Sequence, residues 1–203
     1  MASDLTRGSG PRQSVIWTRV MRYAALLLAL MLAACGRSGF HMTDISGAMP
    51  RLDFHLTRAS DGRPVSGETY RGKVTLLYFG YTNCPDVCPA TLANLTGMLA
   101  KVKSPDVQIL FVTVDPGRDS LSALREYARA FSPQIEGLRG TANQLADVAR
   151  RYRVAYSVDP APPYTVMHSN AVFFFDRTGR VRLVTTDTTD PAAMADDVRR
   201  LLN

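Results

Sequence analysis

Two cysteines stand four residues apart in the run Cys84-Pro85-Asp86-Val87-Cys88-Pro89. Residues at that separation share one face of a helix, so both sulfurs can approach a common point. The run reads as a helix opening, where proline is welcome because its missing N–H costs nothing. Unpaired amides and the helix dipole at such an end favour thiolate over thiol, and the thiolate is both nucleophile and metal ligand. A third donor is available in His168, within Tyr164-Thr165-Val166-Met167-His168-Ser169-Asn170. Two thiolates and one imidazole form a soft, three-donor set that selects Cu(I), with Zn(II) the main competitor. Catalytic zinc also takes three protein ligands, so donor number alone does not separate the two metals. The same sulfurs could instead serve as the redox pair of a thiol–disulfide oxidoreductase or thiol peroxidase, or close a structural disulfide.

What brings these residues together is a chain of alternating elements. Lys73 to Phe79 and Val107 to Val114 are short apolar runs, the mark of strands buried on both faces. Between them, from about Pro85 to Val102, Leu92, Leu95, Met98 and Leu99 recur at helical spacing. Arg51 to Ala59 reads as a strand closed by Ser60-Asp61-Gly62. Ser120 caps a helix to Phe131, and another runs from Asn143 to Tyr152, followed by a strand at Val154 to Val158. Ala171 to Phe175 and Val181 to Thr185 form a hairpin across Asp176–Arg180, with Gly179 in the turn, and Asp190-Pro191 opens a last helix to Leu202. Phe173-Phe174-Phe175 is core by its place in a strand, and His55 is a surface residue.

The pattern predicts an α/β fold, a thioredoxin-like three-layer sandwich with a mixed central sheet. In such a sheet, strand 171–175 runs antiparallel to strand 73–79, and strand 107–114 runs parallel to it. The cysteine loop, His168 and Asp115-Pro116 then converge beyond the carboxyl ends of the parallel strands, where open α/β sheets bind ligands. Thioredoxins carry two residues between their cysteines and a proline before the facing strand. Here three residues intervene, and the proline's place reads His168-Ser169-Asn170.

The beginning of the chain has another purpose. Tyr23 to Ala34 is an apolar run preceded by Arg19 and Arg22, the order of a secretory signal peptide and too short to span a bilayer. It ends in Leu32-Ala33-Ala34-Cys35, which resembles the lipobox of bacterial lipoproteins and implies a lipid on Cys35. The third cysteine is then accounted for, and Cys84 and Cys88 are left as a pair in an oxidising compartment. The reading gives a leader over 1–34, a lipidated cysteine and flexible tether over 35–50, and a folded domain over 51–203, held at the periplasmic face of a bacterial cell-envelope membrane. His41, Met42 and Met49 fall in the tether. The net charge of +6 does not indicate nucleic acid, because Arg7, Arg12, Arg19 and Arg22 precede Cys35 against the single acid Asp4. The remaining basic residues are interleaved with acids and form no aromatic-lined stripe.

From about residue 51 to 203 the chain resembles the Sco/SenC family of copper-delivery proteins. The resemblance rests on Tyr78-Phe79-Gly80-Tyr81-Thr82, Cys84 to Pro89, Val114-Asp115-Pro116-Gly117-Arg118-Asp119-Ser120 and His168-Ser169. It implies that Cys84, Cys88 and His168 carry copper, as Cu(I) and in a second state Cu(II). It also implies that the protein helps assemble the dinuclear copper centre (CuA) of cytochrome c oxidase. The partners are then the copper-bearing oxidase subunit, an upstream copper donor and a thiol reductant. Asp115, Arg118 and Asp119 carry over as supporting residues. Met167 departs from the family, which often has an acid before the histidine, and Ser120 replaces a usual threonine.

Overall fold

Two fully buried, largely apolar strands form the centre of the structure, a computed structural model that describes residues 39–203. Val74–Gly80 (β4) and Val107–Thr113 (β5) are buried at every position. They pair in parallel, with Tyr78 opposite Phe111 and Gly80 opposite Thr113. Short strands complete the main sheet: β1 (Thr43–Asp44), β2 (His55–Arg58), β3 (Pro64–Ser66), β6 (Ile135–Arg139), β9 (Val172–Phe175) and β10 (Val181–Thr185). The order across the sheet is β1-β10-β9-β4-β5-β6-β2-β3. β4, β5 and β6 are parallel, while β9 runs antiparallel to β4. A separate two-stranded ribbon pairs β7 (Tyr156–Asp159) with β8 (Thr165–His168).

The pleat sorts the core into two layers, because alternate residues of a strand face opposite sides. Tyr78 and Phe111 face one side, where Phe111 meets Tyr127 of helix α2 (Leu121–Phe131). Helix α1 (Val87–Val102) and helix α4 (Pro191–Leu202) pack against each other, and α1 also touches α2. Phe173 and Phe175 face the other side and pack on Tyr152, at the end of helix α3 (Ala142–Arg151). The result is helix, mixed sheet, helix. The helix ends follow from their sequences: Ser120 Oγ accepts from the N–H of Ala123, Thr141 and Gln144 form a capping box, and Asp190 caps α4 ahead of Pro191.

The central strands, the three-phenylalanine strand, the hairpin with Gly179 in a left-handed conformation and the helices stand where the sequence pattern put them. Other expectations change. The strand read over 51–59 is only His55–Arg58, though Leu52 and Phe54 are buried beside it. Four short strands, β1, β3, β6 and β8, were invisible to periodicity because two to five residues carry too little pattern. The tether reading fails for its described part. Thr43 and Asp44 pair with β10, while Phe40, Met42, Ile45 and Met49 pack on the core. The physical reason is Asp197, a fully buried acid of α4 whose carboxylate accepts from the N–H groups of His41 and Met42. His55 is exposed as expected. The leader 1–34 and Cys35 lie outside the described residues.

Candidate metal centre

The site begins where β4 ends. Tyr81, Thr82 and Asn83 lead out of the strand into Cys84, and α1 starts only at Val87. Cys84 is therefore not a helical residue, which corrects the reading of both cysteines on one helix face. The sulfurs converge through a local bond instead: the N–H of Cys88, in the first turn, donates to Cys84 Sγ at 3.4 Å. Asp119 fixes the loop from below. This fully buried carboxylate accepts from Thr82 N at 3.0 Å, from Thr82 Oγ1 at 2.6 Å and from Thr113 Oγ1 at 2.6 Å. Gly80 clears the space, since a Cβ there would lie 2.6 Å from Phe111 and 2.9 Å from Cys88 Sγ.

His168 comes from the other direction. It is the last residue of β8, opposite Tyr156 in the ribbon. Its Nε2 lies 3.3 Å from Cys88 Sγ. Its Nδ1 lies 2.9 Å from the Ser169 carbonyl oxygen, which can only accept, so Nδ1 carries the proton and Nε2 turns a lone pair to the sulfurs. The rings of Tyr81 and Tyr78 meet the imidazole edge-on at 5.9 and 6.2 Å. The donor atoms of Cys84, Cys88 and His168 all lie within 4.8 Å of one another, and among the described residues no other group of three such side chains does so. Ligand bonds of about 2.0–2.3 Å set three donors roughly 3.5–4 Å apart around one ion, so a shift of under about an ångström closes the set.

The two thiols are free and unlike. Burial pushes Cys84 up, but the N–H groups of Cys88 and Asp86 outweigh it and hold the thiol below its ordinary value. Cys88 is fully buried, and desolvation raises it to about 12, only partly offset by a backbone bond from Tyr81. The expectation that the helix end favours both thiolates thus holds for Cys84 alone, because burial dominates one turn deeper. A cleft of about 550 Å³ opens over Cys84 and His168, flanked by Pro85, Val87, Val166 and Met167. Val87 and Met167 are the exposed large hydrophobic residues of the described chain, and both stand on this rim.

The supporting residues divide their work. Asp119 holds the cysteine loop, whereas Asp115, buried at the end of β5, pairs with Arg118 and accepts from the Tyr164 hydroxyl at 2.8 Å. Tyr78 and Tyr81 entered the sequence analysis only as part of the Tyr78–Thr82 motif and Tyr164 only as the start of the histidine segment, none with a role at the site. Nothing in their spacing marks them as contacts of the histidine or of its strand.

A sheet with parallel centre, flanking helices and a cysteine loop at a strand end, faced by a histidine, defines a thioredoxin-like protein with a soft three-donor site. The family profile SCO1/SenC matches residues 46–203, and the chain belongs to that family. It is 36% identical over 180 residues to the SCO2 homolog, mitochondrial, of Bos taurus, covering 85% of this chain and 62% of that protein. The chain thus spans about three fifths of that relative's length. Among solved structures it is similar to Arabidopsis thaliana ScoI with copper bound, at 33% identity and a TM-score of 0.69 over 75% of this chain and 97% of that one. Bradyrhizobium japonicum ScoI with copper bound gives 33% identity and a TM-score of 0.68, covering 74% and 98%. No helix among the described residues is long and apolar enough to cross a membrane.

Proposed function

We propose that this chain is a metallochaperone that takes one Cu(I) ion as cargo on Cys84, Cys88 and His168 and delivers it to the CuA site of cytochrome c oxidase. The carrying observation is the convergence of two sulfurs and an imidazole nitrogen within 4.8 Å at an open cleft. Soft sulfur donors select Cu(I) over harder ions, with Cu(II) as a second state and zinc as the competitor. Few ligands at an accessible rim let the ion leave as well as arrive. Cys84 offers a thiolate first; Cys88 gives up its proton when the ion binds, since metal binding displaces protons from thiols.

The partners in this reading are the copper-bearing oxidase subunit, an upstream copper donor and a reductant that keeps both thiols reduced. Lipid on Cys35 would hold the protein at the periplasmic face of a membrane, unlike the bovine relative, whose name is mitochondrial. A Cys35→Ser variant then leaves the membrane fraction; unchanged association removes the anchor.

A second reading is thiol–disulfide exchange. It draws on the asymmetry of the pair, a partly exposed Cys84 with a lowered pKa backed by a buried, protonated partner. Cu(I) titration of the reduced full chain against a competing chelator separates the two. Delivery requires one equivalent of tightly held Cu(I), abolished by Cys84→Ser or Cys88→Ser and weakened about 10- to 100-fold by His168→Ala. If His168→Ala leaves affinity unchanged while exchange with a small disulfide is fast, the oxidoreductase reading replaces this one.

A further inference from the structure

The ribbon that carries His168 lies outside the main sheet, since β7 and β8 pair only with each other. Among the described residues, and apart from the contact of His168 Nδ1 with its own neighbour Ser169, two side-chain hydrogen bonds join residues 156–168 to the rest of the domain. One is the His168–Cys88 contact at the site, and the other is the Tyr164 hydroxyl donating to Asp115. They stand at opposite ends of β8, about 13 Å apart at the usual rise of a strand. Tyr156 and Val166 add apolar packing on the core, but an arm with so few polar ties needs something to hold its far end.

The geometry points to a clasp made of Asp115, Arg118 and Tyr164 that positions His168 for the metal by fastening the start of β8 to the end of β5. Each member is doubly engaged. Asp115 gives one carboxylate oxygen to Tyr164 at 2.8 Å and the other to Arg118 Nε at 2.5 Å. Arg118 closes the triangle by stacking its guanidinium on the Tyr164 ring, 3.7 Å from the centroid. A planar cation on an aromatic face and a bidentate-capable fork make arginine suited to this place, where lysine would keep only the charge. The cation also lies 5.9 Å from the ring of Tyr81, whose edge contact with His168 carries the arrangement back to the ligand.

The clasp and the cysteine anchor share one short segment. Asp115 and Asp119 are both buried, four residues apart; Asp119 holds the sulfur loop and Asp115 holds the imidazole arm. One turn after β5 therefore sets the distance between the two halves of the site. This inference rests on the metal-binding reading only for its consequence in affinity, not for the clasp itself.

The test uses Tyr164→Ala, because Tyr164 lies on the ribbon and outside the core, whereas removing buried Asp115 risks unfolding. Hydrogen exchange on the metal-free full chain should quicken about tenfold for the amides of 156–168 and stay unchanged in β4 and β5. Cu(I) affinity should fall about tenfold, Tyr164→Phe should fall less because the stack on Arg118 survives, and Tyr164→Ala should add nothing in a His168→Ala background. Unchanged ribbon exchange overturns the clasp. An equal loss of affinity with and without His168 also overturns it, since the effect would then not pass through the histidine. If the ribbon loosens as expected while the wild type binds no copper, the clasp stands and the metal reading fails.

Discussion

The sulfur side and the imidazole side of the site are built to different standards of rigidity. Cys84 and Cys88 follow a strand buried at all seven positions, and their loop is held by two bonds from Thr82 to one buried carboxylate, which is itself tied to Thr113 of β5. His168 ends a four-residue strand whose alternate residues are exposed and whose sheet has only two members. A two-stranded ribbon is marginally stable alone, so its position depends on what fastens it. The lesson is that the candidate ligands are unequal: two are part of the core's edge, and the third arrives on an arm. For the proposed carrier this division would have a use, because an ion could be released by withdrawing one ligand without unfolding the other two.

The first way to break that contrast is to loosen the rigid side. Asp119→Ala strands the hydroxyl of buried Thr113 and the N–H and hydroxyl of half-buried Thr82, and should cost about 3 kcal/mol in denaturant unfolding. A loss below about 1 kcal/mol would mean that the cysteine loop does not depend on this anchor. The second probe reads the two thiols by alkylation of the metal-free protein near pH 8. Cys84, partly exposed and lowered, should react about a hundredfold faster than Cys88, whose pKa is near 12 and whose sulfur is buried. The same shift fixes the sign of a stability change with pH. The folded state keeps the Cys88 proton after the unfolded thiol has lost it, so this contribution is full below about pH 9 and is lost as pH rises toward about 12. Cys88→Ala should flatten that decline.

Gly80→Ala is a smaller perturbation of the same side. Its methyl would press on Phe111 and Cys88 Sγ, and overpacking of this kind costs about 2 kcal/mol. Copper affinity should fall with it, because the sulfur must shift. A variant as stable as the wild type in urea would show that the cleft side of Cys88 can yield.

How far the sequence carried depends on which side is considered. β4, β5 and the cysteine motif were legible because seven buried residues in a row and a Cys-Pro-x-x-Cys-Pro run carry strong local signals. The ribbon was half legible. Val154 to Val158 read as a strand, but Thr165 to His168 did not, since it is short, mixed in burial and follows two prolines. The convergence of His168 on the cysteines nevertheless followed from strand directions, which β9 against β4 obeys. The anchoring of residues 40–49 was hidden because its partners, β10 and the buried acid Asp197, are distant, and no local pattern announces a contact across 155 residues. Tyr164 was hidden for the same reason: its partner lies 49 residues away.

The mildest change tests how many ligands the arm supplies. Met167 precedes His168, and a thioether is a soft donor that could also favour Cu(I). The pleat argues otherwise. Successive side chains of a strand point to opposite faces, so with His168 turned to the sulfurs Met167 turns away, and it is 70% exposed. Met167→Ala should therefore change stability by less than about 0.5 kcal/mol. It should change Cu(I) affinity by less than about twofold, far below the loss in His168→Ala. A fall in affinity approaching that of the histidine variant would mean that β8 twists enough to bring both residues to the ion. The arm would then hold the metal by two ligands, and the difference between the two sides of the site would be one of position rather than of grip.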